Sequence, residues 1–235
     1  MMRHIFVIFL ILFSAQVWAE EVNTENLQLA SAPINQSDMA SIKRGAKFFS
    51  TNCMSCHTLI YLRYDKIAQE AGITYDKMPV NVKSWPYGIT PPDLSLEADI
   101  RGVDWLYTYL HSFYVDKARP TGVNNLLVHN TAMPGIIMPY QGEQELVANP
   151  VPDLFNNIQW YDAVKLVKQG MLKPDDFDAT IADVVDFLAY AAEPFHQEQH
   201  TIGWWVLGFL AFLFVLMYLL KCEYWKDVKK NNDSN

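Results

Sequence analysis

The chain of 235 residues reads as a mainly α-helical domain joined to one C-terminal membrane helix. Three features point there: a leader-like N-terminus, a charge-free apolar run near the C-terminus, and apolar stripes at helical spacing towards both ends of the segment between them. Hydrophobic residues make up 51% of the chain and charged residues 19%, with 18 Lys+Arg against 26 Asp+Glu. That balance excludes a disordered chain and a nucleic-acid binder that works by neutralising phosphates. Three cysteines are too few for a disulfide-stapled scaffold.

Met1 to His4 form a short basic head, Ile5 to Phe13 an apolar run, and Val17 and Ala19 stand at the −3 and −1 positions of a cleavage pattern. Residues 1–19 are therefore expected to be a secretory signal peptide. Nine apolar residues would reach only ~14 Å as a helix, short of a ~30 Å hydrocarbon core. Loss of Arg3 with the leader leaves 17 Lys+Arg against 26 Asp+Glu, a net charge near −9.

At the other end, Ile202 to Leu220 is 19 residues without a charge. As a helix it would reach ~28 Å, which spans a bilayer core. Trp204 and Trp205 mark one rim, and Tyr218, Tyr224 and Trp225 the other. Lys221, Lys226, Lys229 and Lys230 follow, whereas the twenty residues before the run carry no Lys or Arg, so the positive-inside rule puts the C-terminus in the cytoplasm. The expected layout is a signal peptide over 1–19, a periplasmic domain over 20–200, a transmembrane helix over 201–221 and a cytoplasmic tail over 222–235. That is a single-pass membrane protein.

Within the domain, residues 22–37 are polar and unpatterned and predict an extended arm. Asp38 precedes Met39, Ile42, Ala46 and Phe49, an apolar stripe of one helix. Residues 75–93, with Pro79, Pro86, Pro91 and Pro92, read as loop. Trp160, Val164 and Val167 are in phase for a helix over 158–171. Asp178 suits an N-cap for a last helix whose face is Ile181, Val184, Val185, Leu188 and Ala192, stopped by Pro194.

Cys53-Met54-Ser55-Cys56-His57 is a C-x-x-C-H sequence, the attachment pattern of a c-type haem. From this composition such a run arises by chance about once in a thousand chains. Two thiols on one turn suit the two vinyl groups of one porphyrin, and the next residue offers an imidazole to the iron. A thioredoxin-like pair would want a βαβ context that is absent, and a zinc site would want further ligands, whereas Cys222 lies beyond the membrane run. Export agrees with the motif, since bacterial attachment of haem to cysteine occurs outside the cytoplasm. With its flanking helices, the domain reads as mainly α, a class I cytochrome c-like haem domain with long loops, binding one covalent haem c and carrying one C-terminal transmembrane helix.

A second axial ligand would suit electron transfer, and an open position would suit a peroxidase or gas sensor. The candidates are Met78, Met133, Met138, Met171, His111, His129, His196 and His200. Pro134 and Gly135 favour a loop that presents Met133; Met138 is a nearby rival. Met171 is expected to pack as a core filler, His111 to sit on a surface or pocket, and His196 and His200 to lie at the membrane interface. On the residues alone the choice stays open among Met133, Met138 and a histidine. A thioether ligand stabilises ferrous iron relative to imidazole and so raises the potential.

The ordered set Cys53–His57, Pro91-Pro92-Asp93-Leu94-Ser95, Arg101 with Asp104-Trp105-Leu106, Ala132-Met133-Pro134 and Ala191-Ala192-Glu193-Pro194, followed by one membrane helix, resembles the cytochrome c1 family over nearly the whole mature chain. The resemblance implies attachment through Cys53 and Cys56, iron ligation by His57 and Met133, a haem propionate paired with Arg101, and Pro92 packed on the haem. It also implies a bacterial inner membrane, and there a subunit of a ubiquinol:cytochrome c oxidoreductase beside cytochrome b, coupled to proton translocation. Such a subunit takes electrons from the Rieske iron–sulfur protein and passes them to a soluble cytochrome c. An independent tethered carrier serving another oxidase or reductase is the alternative. This chain has Trp85-Pro86-Tyr87-Gly88 where many family members have an Asn/Gly-rich run, and Trp105 where Tyr is frequent.

Overall fold

The computed structural model describes residues 26–79, 85–87, 89–147, 150–153 and 156–232; the leader expected over 1–19 lies outside them. In chain order the elements are β1 (Leu27–Gln28), α1 (Met39–Asn52), α2 (Lys66–Glu70), α3 (Glu97–Arg101), α4 (Val103–His111), β2 (Phe113–Val115) and β3 (Val123–Asn125). Then come α5 (Met138–Gln141), β4 (Gly142–Leu146), β5 (Ile158–Gln159), α6 (Trp160–Ala163), β6 (Val164–Gln169), α7 (Pro174–Ala192) and α8 (His196–Asn232). Among the described residues helix dominates, and the strands form three two-stranded ladders.

α1 starts where Asp38, in extended backbone, accepts from the N–H groups of Ala40 and Ser41 at 2.9 and 3.3 Å, an N-cap for donors with no helical partner. Its expected stripe forms: Ile42, Ala46 and Phe49 are fully buried, with only Met39 left exposed. α7 starts four residues earlier than Asp178, at Pro174, because proline loses nothing at a first-turn position whose N–H has no helical acceptor. Asp178 therefore sits inside the helix rather than capping it. Ile181, Val184, Val185 and Leu188 are buried as expected, and the helix ends at Ala192, ahead of Pro194.

These two helices pack against each other at the centre of the domain. At Gly45 the approach is so close that a Cβ would overlap the Asp183 carbonyl and come within 2.9 Å of the Phe187 Cβ. Phe49 and Phe187 meet with ring centroids 5.7 Å apart. At the rim, Arg44 forks onto Asp183 through Nε (2.6 Å) and Nη2 (2.7 Å), and Ser41 donates to the same carboxylate at 2.7 Å.

From residue 27 to 35 the N-terminal arm is extended and strapped down. β1 runs parallel to β5, and the N–H groups of Ala30, Ala32 and Asn35 donate to Thr108, Asp104 and Asp186. The helix expected over 158–171 does not form. After the single turn of α6, residues 164–169 are a strand antiparallel to β4, with Lys168 opposite Glu143 and its Nζ 2.6 Å from that carboxylate. Val164 and Val167 are β-branched, and cross-strand partners outweigh a helical phase carried by three residues. Met171 is 69% exposed rather than a core filler. α8 is continuous from His196 to Asn232, and its apolar part, Thr201–Lys226, is buried nowhere against the domain, as a membrane anchor requires.

Gly45→Ala should force the crossing helices apart, with a loss of about 1–3 kcal/mol. At about 2–4 °C per kcal/mol, the thermal midpoint of the detergent-solubilised protein, followed by circular dichroism, should fall by several degrees.

Candidate functional site

The C-x-x-C-H sequence occupies the turn that leaves α1. The Cys53 N–H still reaches the Phe49 carbonyl at 2.9 Å; then Cys56 and His57 both donate to the Cys53 carbonyl, at 3.1 and 2.9 Å. One turn thus carries two free thiols and an imidazole. Burial, reinforced by Cys56, pushes the Cys53 thiol up to about 12, so it is a neutral thiol rather than a reactive thiolate.

His57 Nδ1 lies 2.8 Å from the Pro92 carbonyl. A carbonyl only accepts, so Nδ1 carries the hydrogen and Nε2 keeps its lone pair, the form that ligates a metal. Burial holds the imidazole below its ordinary pKa, against a smaller opposing effect of the Pro92 bond, and keeps it neutral. The segment carrying Pro92 is clipped in place by Asp93, whose Oδ2 accepts from Thr58 Oγ1 (2.6 Å) and the Ile60 N–H (2.9 Å), while Oδ1 accepts from the Ser95 N–H (3.0 Å). Burial alone would raise the Asp93 pKa, but the bonds from Ser95, Thr58 and Ile60 together bring it below the ordinary carboxylate range. The positioning work of Pro92's carbonyl and of Asp93 was not anticipated. The available signal was a Pro-Pro-Asp sequence, which cannot donate from its prolines and leaves their carbonyls for side chains.

Met133 lies on a loop tied down by two buried asparagines. Asn124 Oδ1 accepts from the N–H groups of Asn125 and Asn130, both at 2.9 Å; Asn125 Oδ1 accepts from Leu127 N–H at 2.9 Å, and its Nδ2 donates to the Tyr109 carbonyl at 2.8 Å. Asn130 takes a positive φ of 61° there, which asparagine tolerates better than most residues. Trp85 Nε1 donates to the Ala132 carbonyl at 3.4 Å from the far side. The half-buried Met133 side chain packs on the same hydrophobic core as Cys53, Trp105 and Tyr109, and its sulfur accepts from the Tyr109 hydroxyl at 3.6 Å.

The rivals have other occupations. Met138 fills the space under Gly135, where a Cβ would come within 2.5 Å of its sulfur. Met78 is buried in the core, and Met171 and His129 are exposed. His111 is not a surface or pocket residue: it is 1% exposed, and both ring nitrogens face oxygens, Nδ1 at 2.7 Å from the Tyr107 carbonyl and Nε2 at 3.0 Å from Asp178. His196 and His200 lie in the first turns of α8. Arg101 ends α3 with its side chain 52% exposed, Nε 3.2 Å from Glu97 and the guanidinium 4.8 Å above the Trp105 ring.

The donor set fits a haem: two thiols and a neutral imidazole on one turn, and a thioether on the margin of the same core. Among the described residues no three His, Cys, Asp or Glu gather as a site for a bare metal ion. The fold and these residues define a membrane-anchored helical haem protein. The model of the cytochrome c1 family matches residues 29–87 and 80–228. The chain is 42% identical to cytochrome c1 of Allochromatium vinosum, over 85% of this chain and 89% of that one. It is 33% identical to the ammonia monooxygenase gamma subunit of Nitrosomonas europaea, over 87% and 90%. A cytochrome b/c1 protein of Bradyrhizobium diazoefficiens is 25% identical over 84% of this chain and 34% of its own length. The chain belongs to the cytochrome c1 family, that of the electron-transport haem subunit of the cytochrome bc1 complex.

Because the Asp93 carboxyl is held below its ordinary range, its stabilising effect is complete above an unfolded value of ~3.9 and disappears as pH falls through the lower folded value. Asp93→Asn should lower stability at pH 7 by about 1–3 kcal/mol. The gap to the unsubstituted protein should close below about pH 4 in denaturant titrations; a gap independent of pH would show that the charge does not hold this loop.

Proposed function

We propose that this chain is the subunit of a quinol:cytochrome c oxidoreductase that accepts one electron at a time from a Rieske iron–sulfur protein and delivers it to a soluble cytochrome c. Haem c, when bound, supplies one-electron exchange between ferric and ferrous iron. Cys53 and Cys56 are the thioether attachment points, and His57 Nε2 and Met133 Sδ are the axial donors. The observation that carries this reading is the His57 imidazole, fixed by the Pro92 carbonyl in its metal-binding tautomer beside two free thiols on one turn.

Arg101 pairs with a haem propionate in this reading, exchanging its exposed Glu97 contact for a second carboxylate. Pro92 borders the haem through the same residue whose carbonyl orients His57. Residues 1–19 are removed on export, residues 20–200 lie in the periplasm, and the lysine-flanked end of α8 lies in the cytoplasm. Cytochrome b is the membrane partner, a pairing supported by the fused name of the Bradyrhizobium relative. The net charge near −9 left without the leader, 17 Lys+Arg against 26 Asp+Glu, suits a basic cytochrome c as acceptor, steered over a Debye length of roughly 10 Å at 0.1 M salt.

Tagged full-length protein, extracted from membranes in mild detergent, should bring down b-type haem and an iron–sulfur signal in stoichiometric amounts with its own c-type band. A c-type band alone, in a detergent that preserves such complexes, would favour an independent tethered carrier. Met133→Ala should make the ferrous protein bind carbon monoxide, whereas the unsubstituted protein should not. Its oxidation by a basic cytochrome c should slow as salt is raised; a rate indifferent to salt would remove the steering.

A further inference from the structure

We propose that Tyr109 and Thr131 close a hydrogen-bonded ring on Met133 that fixes its thioether and raises the redox potential of the iron it binds. The inference rests on the reading of Met133 as axial ligand. Three contacts make the ring: the Met133 N–H to Thr131 Oγ1 at 3.4 Å, Thr131 Oγ1 to Tyr109 Oη at 3.1 Å, and Tyr109 Oη to Met133 Sδ at 3.6 Å.

Counting hydrogens sets the direction. The amide can only donate, the thioether can only accept, and each hydroxyl has a single hydrogen. Thr131 is 4% exposed, so its hydroxyl hydrogen has Tyr109 Oη as its acceptor rather than solvent. With Thr131 donating to Tyr109, the one Tyr109 hydrogen is left for the sulfur. All three bonds then run the same way round, and each polarises the next.

The ring is held from outside as well. Tyr109 is stacked on Trp105 with centroids 4.9 Å apart and planes 8° from parallel, and it meets Phe113 edge-on at 5.1 Å. A thioether sulfur has two lone pairs, so one can serve iron while the other accepts from Tyr109. That second bond draws electron density off the sulfur and makes it a weaker donor, which favours the ferrous form. Tyr109 keeps its hydrogen throughout, so one electron moves and no proton accompanies it. Tyr109 and Thr131 are thus positioning residues that act through Met133.

The test measures, on full-length haem-loaded protein in detergent, the equilibrium with a one-electron reference couple and the weak red absorption of thioether-bound ferric haem. Tyr109→Phe should shift the equilibrium toward ferric by about three- to tenfold, ~30–60 mV at 59 mV per tenfold, and move the red band without abolishing it. Thr131→Val should shift it the same way by a smaller factor, and Thr131→Ser should restore the original value. A shift toward ferrous in Thr131→Val would mean that Tyr109 normally donates to Thr131, and it overturns the proposal. So does an unchanged equilibrium in Tyr109→Phe while Met133→His abolishes the band, an outcome that leaves Met133 as ligand. A band unchanged by Met133→His overturns the ligand assignment itself. If Tyr109→Phe does not retain haem, the two Thr131 variants decide the question.

Discussion

The contact between α1 and α7 at Gly45 sets the position of everything that follows in the chain. A helix-on-helix approach with backbone against backbone leaves no room for a side chain, so the crossing has one register. From that register the next two turns of α1 bring Phe49 onto Phe187 and deliver Cys53 at the helix end. The two thiols and His57 follow within a single turn. The chemistry-bearing segment is thus placed by a rigid element seated on a second one, which suits a centre whose electron exchange demands little rearrangement.

The remaining groups come from loops, and each loop is held by polar side chains that accept several backbone hydrogens. Asp93 gathers three donors from residues 58–60 and 95 and so aims the Pro92 carbonyl at His57. Asn124 and Asn125 do the same for the stretch ending at Met133, accepting from backbone donors that have no strand partner. Tyr190 extends the pattern to α2, donating at 2.7 Å to Asp65, whose other oxygen caps that helix. A carboxylate or amide that accepts several backbone hydrogens is an effective clip, because freeing it leaves several buried groups unpaired at once.

What could be read ahead of the structure follows from how far each signal reaches along the chain. The α1 stripe, the α7 face and the apolar span are local patterns, and they formed where expected. The strand over 164–169 was missed because its partner lies some twenty residues upstream and a three-residue helical phase fitted by coincidence. Asp178 looked like a cap because its real occupation, the His111 ring, is 67 residues away. His111 looked superficial for the same reason. Local turn residues favoured Met133 and left Met138 as a rival; in the fold Met138 fills the space under Gly135 and Met133 lies against the hydroxyl of Tyr109.

Only Glu193, Pro194 and Phe195 stand between the last residue of α7 and the first of α8, and the His196 N–H already bonds the Glu193 carbonyl at 3.1 Å. Four peptide steps reach about 14 Å at full stretch, whereas a domain of this length measures roughly 40 Å across. The leash is therefore shorter than the load it restrains. The domain can pivot on its anchor but not travel far from the bilayer, so the distance over which it can carry an electron is set by that short swing.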